Sequence, residues 1–278
     1  MKKSLVELAF VCLCSISLVI MFANPSSAKI DINACVGAWL FDDSGADVVQ
    51  DISGNENHGN VKGNPKWDNG KFGKAINFDG VDDCIDCGDT DSLDVGIDNF
   101  SIALWMKCAK YNPPDWHGAI IYKLDYTAPR HGYIFGVRGV LDPGNQTKPI
   151  FVIGLGQDAG AHLFGTSPIN DDTWHHIAIT VDRKGAMKLY RDGNFESMLD
   201  ISASSKQNEN NAKNFNIGSE LGSRGIKGLI DEVAIFKVIL AEEDIKKIMD
   251  DGLERSFGLV AVLPSDKLST TWAMVKYQ

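Results

Sequence analysis

Asn170-Asp171-Asp172-Thr173-Trp174-His175-His176-Ile177-Ala178-Ile179-Thr180-Val181-Asp182 is the stretch that decides the fold. A polar turn feeds a segment in which His175, Ile177, Ile179 and Val181 share one face and Trp174, His176, Ala178 and Thr180 the other. That period of two is the repeat of a β-strand, and apolar residues on both faces place it inside a layered structure. Tyr190-Arg191-Asp192-Gly193-Asn194 then runs a second strand into an Asp-Gly turn, the strongest short-range hairpin signal.

The same alternation recurs outward from this pair. Between Phe100 and Cys108, Ile102, Leu104 and Met106 oppose Ala103 and Trp105. Further strands are predicted at 35–41, 74–78, 119–123, 133–138, 150–155, 186–191, 214–217 and 228–236. Asp51 to Gly59 is a loop rich in Gly and Asn, residues that tolerate positive φ. One helix is predicted from Ala241 to Asp250, with Glu242, Glu243 and Asp244 in the first turn, where the helix dipole favours negative charge. Gly252 is placed as its left-handed C-cap. Many short strands, turn signals between them and one short C-terminal helix predict an all-β, two-sheet antiparallel jelly-roll sandwich. The predicted domain covers residues 33–253, followed by a tail at 254–278.

Ordered motifs across this span resemble those of the laminin G-like, concanavalin A-like jelly-roll domains. They are Gly37-Ala38-Trp39-Leu40-Phe41-Asp42-Asp43, Asp51-Ile52-Ser53-Gly54-Asn55-Glu56-Asn57-His58-Gly59, Phe72 to Asp83 with its Phe78-Asp79-Gly80-Val81-Asp82-Asp83, Phe100 to Lys107, Trp174-His175-His176-Ile177-Ala178, and Gly228-Leu229-Ile230-Asp231-Glu232-Val233. The chain departs from the pattern at Cys84, where an aromatic is usual, and at Glu56, where Gly is common. It departs again at Ala241, where Ser usually caps the helix. The resemblance implies a structural calcium held by Asp43, Asp51, Asn57 and Asp231, since hard oxygen donors suit that ion. The competing expectation is that these residues form Asx turns and strand-end caps and need no metal.

The first 28 residues bear on location. Lys2 and Lys3 precede an apolar run from Leu5 to Phe22, and Ser26-Ser27-Ala28 supplies the small residues of a cleavage site. This predicts a signal peptide at 1–28 and a secreted or extracytoplasmic protein. A retained anchor is the rival, because the run approaches the roughly 20 residues that span a bilayer. Cys35 lies too far beyond the apolar run for a lipoprotein. The whole chain carries a formal net charge of −10. Cleavage would leave 25 basic against 36 acidic residues, a net charge of −11. Such a chain repels phosphate backbones and anionic lipid, so nucleic-acid and membrane-surface partners are not expected. Cys35, Cys84, Cys87 and Cys108 would remain, as buried thiols or with one disulfide. A zinc site at Cys84 and Cys87 lacks a second spaced ligand pair.

Function is less constrained, because this architecture serves lectins, adhesion modules and glycosidases alike. No Glu-x-Asp-x-x-Glu strand places two carboxyls over a groove, as sandwich glycosidases require. Asp231 and Glu232 are adjacent and fall on opposite faces of an ideal strand. No Gly-x-Ser-x-Gly elbow accompanies His175 and His176. No catalytic residue is therefore assigned. Binding residues are expected in the segments Tyr111 to His117 and Tyr126 to His131, where Trp116, Tyr126, Arg130 and His131 offer aromatic faces and polar direction. The expectation is an exported, non-catalytic module that binds carbohydrate or a surface or matrix protein. The alternatives are a divergent glycoside hydrolase and a purely structural envelope protein.

Overall fold

The computed structural model describes residues 30–157, 159–220 and 223–259. The predicted signal peptide and the tail beyond residue 259 lie outside the described residues. In chain order the strands are β1 (Cys35–Trp39), β2 (Val48–Val49), β3 (Gly59–Lys62), β4 (Lys66–Asn69), β5 (Lys74–Asp79) and β6 (Cys84–Asp86). There follow β7 (Phe100–Ala109), β8 (His117–Asp125), β9 (His131–Arg138), β10 (Pro149–Ile153) and β11 (Ala161–Phe164). The last are β12 (Asp171–Val181), β13 (Ala186–Arg191), β14 (Asn194–Asp200), β15 (Asn216–Ile217) and β16 (Lys227–Phe236), before helix α1 (Glu242–Phe257).

Among the described residues the strands form two antiparallel sheets of eight. The first runs β14-β13-β12-β7-β16-β5-β4, with β1 also on β16; the second runs β11-β10-β9-β8-β15-β6-β3-β2. The predicted sandwich is therefore the fold. Ile177, Ile179 and Val181 of β12 face the interior with Ile102, Leu104 and Met106 of β7, against Tyr133, Phe135, Phe151 and Ile153 of the second sheet. Trp39 stacks on Phe215 at 5.3 Å between centroids and donates its indole N–H to the Asn57 carbonyl.

The other face of the first sheet is buried too, and the register explains how. Ala178, Ala103, Ala234 and Ala38 align across β12, β7, β16 and β1. Four methyl side chains in a row leave a shallow seat, and Ile245, Ile248, Leu253 and Phe257 of α1 fill it. Ala241 gives the helix no side-chain cap, while Asp244 Oδ2 accepts from the Ala241 N–H at 3.2 Å. Gly252 has the expected positive φ (75°) but only interrupts the helix. The chain turns helical again through Phe257 and ends at Gly258, φ 69° and ψ 31°. The helix thus runs on through residue 254, where the tail was expected to begin, to Phe257.

Strand β16 shares one edge between β5, on its first half, and β1, on its second. Its register against β7 shifts between Asp231 and Ala234, and Glu232 sits there at φ 53°. The bulge overrides the strict alternation expected of Asp231 and Glu232, and both are buried. Asp231 Oδ2 accepts from the N–H groups of Lys71 and Phe72 in the β4–β5 turn, at 2.7 and 3.0 Å. Glu232 Oε2 accepts from the Leu253 N–H of α1. One bulge therefore ties a hairpin turn and the broken helix to the same strand.

No disulfide joins the cysteines among the described residues. Burial pushes the thiol of Cys35 up to about 12 and that of Cys108 up to about 11, and raises Cys87 well above the ordinary range. Cys84 donates to Asn216 Oδ1 on the far side of the second sheet from Cys87, as the three-residue spacing predicts.

Candidate functional site

A cavity of about 370 Å³ lies on the outer face of the second sheet. Its floor comes from strand alternation: Leu124, Ile134 and Val152 project outward from β8, β9 and β10, while Tyr133, Phe135 and Phe151 project into the core. The outward positions of β9 read Gly132, Ile134, Gly136 and Arg138. A Cβ on Gly136 would stand 2.3 Å from the Gly118 carbonyl of β8, so this position stays bare and the floor stays low. Trp116, His117, Tyr126, Arg130, Arg138, His162 and Arg224 form the walls.

The walls are held by stacked cations. Arg138 lies over the Trp116 ring at 5.1 Å and over Phe164 at 5.6 Å, with its Nε bound to Asp142 at 2.8 Å. Arg130 and Arg224 both lie over the Tyr126 ring, at 5.2 and 4.9 Å. Arg224 is pinned from behind by Asp115 (2.9 Å) and Glu220 (3.1 Å), and Arg130 Nη1 donates to the Ala159 carbonyl at 3.0 Å. Each such cation–π contact is worth roughly 0.5–1 kcal/mol at exposed sites. Their main effect is to fix the aromatic planes in advance of a ligand. Trp116 remains 48 % exposed.

The imidazoles in this cavity are neutral at pH 7. Burial, reinforced by Arg224 and Arg138, drives His117 down to about 4. Burial also lowers His162. Tyr126 Oη lies 3.3 Å from His117 Nε2, and burial raises the phenol to about 12. The Arg224 hydrogen bond holds the Asp115 carboxyl below its ordinary range. At neutral pH the cavity therefore presents guanidinium, neutral imidazole and phenol groups around an apolar floor.

Of the expected binding residues, Trp116, Tyr126 and Arg130 converge here. His131 does not. It follows Arg130 directly, projects away from the cavity, and its Nδ1 contacts the Asn208 carbonyl at 2.7 Å. His117 closes the first expected segment without having been singled out, and Arg138, His162 and Arg224 were not anticipated. His117, Arg138 and His162 occupy outward positions of strands, where a polar residue on an otherwise apolar face is a usable signal. Arg224 arrives from a loop about a hundred residues away in sequence, and nothing local points to it.

The four expected calcium ligands do not assemble. Asp51 Oδ1 accepts from the N–H groups of Ala38 (2.8 Å) and Ser53 (2.9 Å), and Oδ2 from Ser53 Oγ (2.9 Å) and the Asn57 N–H (3.0 Å). A carboxylate has about four lone-pair sites, and all four are taken. Asn57 Oδ1 accepts from Thr90 and Ser92, while its amide donates to the Val36 carbonyl. Asp43 is exposed, and Asp231 gives Oδ2 to the β4–β5 turn while its buried Oδ1 has no hydrogen-bond partner among the described residues. Asp51 and Asn57 therefore fit the Asx-turn account rather than a cation cage, and the set of four does not fit calcium. Asp79, Asp82 and Asp83 do approach one another, within 4.8 Å, but Asp83 accepts from the N–H groups of Asn64 and Asp79.

Comparison with known proteins agrees with this architecture. The family described as the concanavalin A-like lectin/glucanases superfamily matches residues 79–246, more than half of the chain, and the chain belongs to it. The binding domain of Paraclostridial Mosquitocidal Protein 1 is similar in structure, with a TM-score of 0.64 and 16 % identity over 78 % of this chain and 52 % of that one. The binding domain of botulinum neurotoxin DC, solved in complex with rat synaptotagmin II, gives 0.59 and 14 % over 79 % and 52 %. Domain 4 of AbnA, an extracellular arabinanase from Geobacillus stearothermophilus solved with arabinotriose, gives 0.55 and 19 % over 80 % and 100 %. The chain thus spans about half the length of the toxin binding domains and all of the arabinanase domain. At these identities the likeness is one of fold. No curated protein sequence matches the chain significantly. No helix among the described residues is long and apolar enough to cross a membrane.

Proposed function

We propose that this chain is an exported, non-catalytic binding module that takes a carbohydrate in the cavity on the outer face of its second sheet. The observation that carries this reading is the pairing of Trp116 and Tyr126 with overlying guanidiniums around an apolar floor. Aromatic planes offer the C–H face of a sugar a flat apolar contact, and the surrounding N–H groups meet its oxygens. Prior fixation of those planes limits the ordering cost of binding. The volume is at the low end of the roughly 300–1,000 Å³ of small-molecule sites, which suits one or two sugar units.

A glycosidase would need two carboxyls facing the bound sugar. The polar groups among the described side chains lining this cavity are guanidinium, imidazole, phenol and indole, and the nearby Asp115, Asp142 and Glu220 are each committed to a guanidinium. Binding without turnover is the activity this set supports. The similarity to binding domains adds weight to it.

A glycan array probed with the full-length chain and with Trp116→Ala tests the proposal. Saturable binding to a glycan subset, weakened at least tenfold in the variant and without release of reducing sugar, is the expected result. Reducing-sugar release that vanishes with a single Asp or Glu substitution would replace the binding reading with a hydrolase. Binding to a surface protein but to no glycan would move the site's ligand to the protein class.

A further inference from the structure

The cavity is unusual for a chain of net charge −10, because three of its walls are guanidiniums and no carboxylate lines it among the described residues. The acidic partners stand behind those groups. Asp142 holds only the Nε edge of Arg138, and Asp115 and Glu220 hold the Nε and Nη1 of Arg224. Arg130 makes no ion pair among the described residues, and its one side-chain hydrogen bond there is Nη1 to the Ala159 carbonyl. The open ends of Arg130 and Arg138 are left for an occupant.

The balance of donors and acceptors then selects the ligand. A guanidinium only donates, and so does the Trp116 indole N–H. A neutral sugar carries hydroxyls, each of which brings a hydrogen that needs an acceptor opposite it. Tyr126 Oη and the unprotonated nitrogens of His117 and His162 are the acceptors among the lining side chains, and Tyr126 and His117 already face each other. Hydroxyl hydrogens left unmatched in a closed site cost free energy, whereas a carboxylate brings oxygens and no hydrogen. Guanidinium and carboxylate also match in geometry as a two-bond fork.

Resting on the carbohydrate reading above, we infer that the cavity recognises an acidic sugar, with the ligand's carboxylate on Arg130 and Arg138 and its ring against Trp116 or Tyr126. The occupant is a uronate-type residue of a glycan. Positive charge concentrated in one recess of an otherwise acidic surface makes the selection local, so acidic sugars bind here and are repelled elsewhere.

The test pairs each carboxylated oligosaccharide on an array with its methyl ester, beside neutral and sulfated members, using the full-length chain. Titration calorimetry follows on any pair that binds, starting with a trigalacturonate probe and its ester. The expected result is binding to the acid at least tenfold tighter than to its ester. Arg130→Gln should remove that preference, and Arg130→Lys should restore it only in part, because an ammonium cannot form the fork. Both variants should melt as the wild type does, since Arg130 is half-exposed. Equal binding of acid and ester, or binding of neutral sugars alone, overturns the acidic-ligand inference and leaves the binding-module proposal standing. A preference for sulfated over carboxylated members also overturns it. Loss of all glycan binding in wild type, with the fold intact, ends both.

Discussion

Replacing Asp51 by Ala is the sharpest test of how the first sheet is held at its edge. The carboxylate sits at a buried position and accepts four hydrogen bonds, two on each oxygen. Two of its donors, the N–H groups of Ala38 and Asn57, belong to residues that are themselves buried. Ser53 is half-buried and can turn to water. The variant therefore orphans two buried N–H groups, each costing roughly 1–3 kcal/mol. A loss of about 4 kcal/mol is expected, or about 8–16 °C in Tm at the 2–4 °C per kcal/mol usual for a domain of this size. Asp51→Asn keeps one oxygen and should lose roughly half as much. Thermal melts by circular dichroism, run in millimolar calcium and again in EDTA, read both questions together. Equal losses in the two buffers are expected, because the lone pairs are already filled by N–H and O–H groups. A drop below about 3 °C for Asp51→Ala would refute the hydrogen-bond account. A drop present in calcium and absent in EDTA would show that Asp51 acts through a cation after all.

The paired bulge carboxyls give a pH dependence of unusual sign. Burial raises Asp231 to about 7 and Glu232 to about 8, so the folded chain binds more protons than the unfolded chain between about pH 4 and pH 8. Their contribution is full at the acidic end and is lost as pH rises through those values. Asp231→Asn with Glu232→Gln should flatten the fall in Tm between pH 5 and 8, and an unchanged slope would sink the assignment. His176 is fully buried, has no hydrogen-bond partner on either ring nitrogen among the described residues, packs against Trp105, and is driven down to about 3 by burial. His176→Phe should match or exceed wild-type stability, while His176→Ala should lose about 2–4 kcal/mol to a cavity, as chemical denaturation would measure. Cys35, Cys87 and Cys108 should resist Ellman's reagent in the native chain and react on unfolding; fast native labelling at any of them would contradict their burial.

Legibility in the sequence followed the length of the pattern. β7, β12, β13 and β16 carry six to eleven residues of alternation, and the reading placed all four within a few residues. β2, β3 and β6 have two to four residues, too few for a period to show, and were not expected as strands. β14 escaped for another reason: it is an edge strand with much of its surface exposed, so no apolar face marks it. At the site, Trp116, Tyr126 and Arg130 were visible because aromatic and cationic residues crowd two loops. Arg138 was hidden because 133–138 is marked as a strand without a facing, and His162 because β11, four residues long, shows too short an alternation to be expected as a strand. The Asp51 loop was recognised by its residues, yet its chemistry depended on which donors surround the carboxylate. That is a property of packing, and Asp231 and Glu232 show the same limit, since a one-residue bulge put both on buried duty.

The branched edge of β16 also fixes an order of events. β1 begins at Cys35 and has its partner in β16, about two hundred residues further on; β5 and β7 wait for the same strand. Until residue 236 is available the first sheet lacks the member that joins its two parts, and the alanine row has no complete seat for α1. A chain emerging from its N-terminus can pair β2 with β3, β3 with β6 and β4 with β5 early, but must carry β1 without its partner until nearly the whole domain is present. Such long-range closure folds slowly.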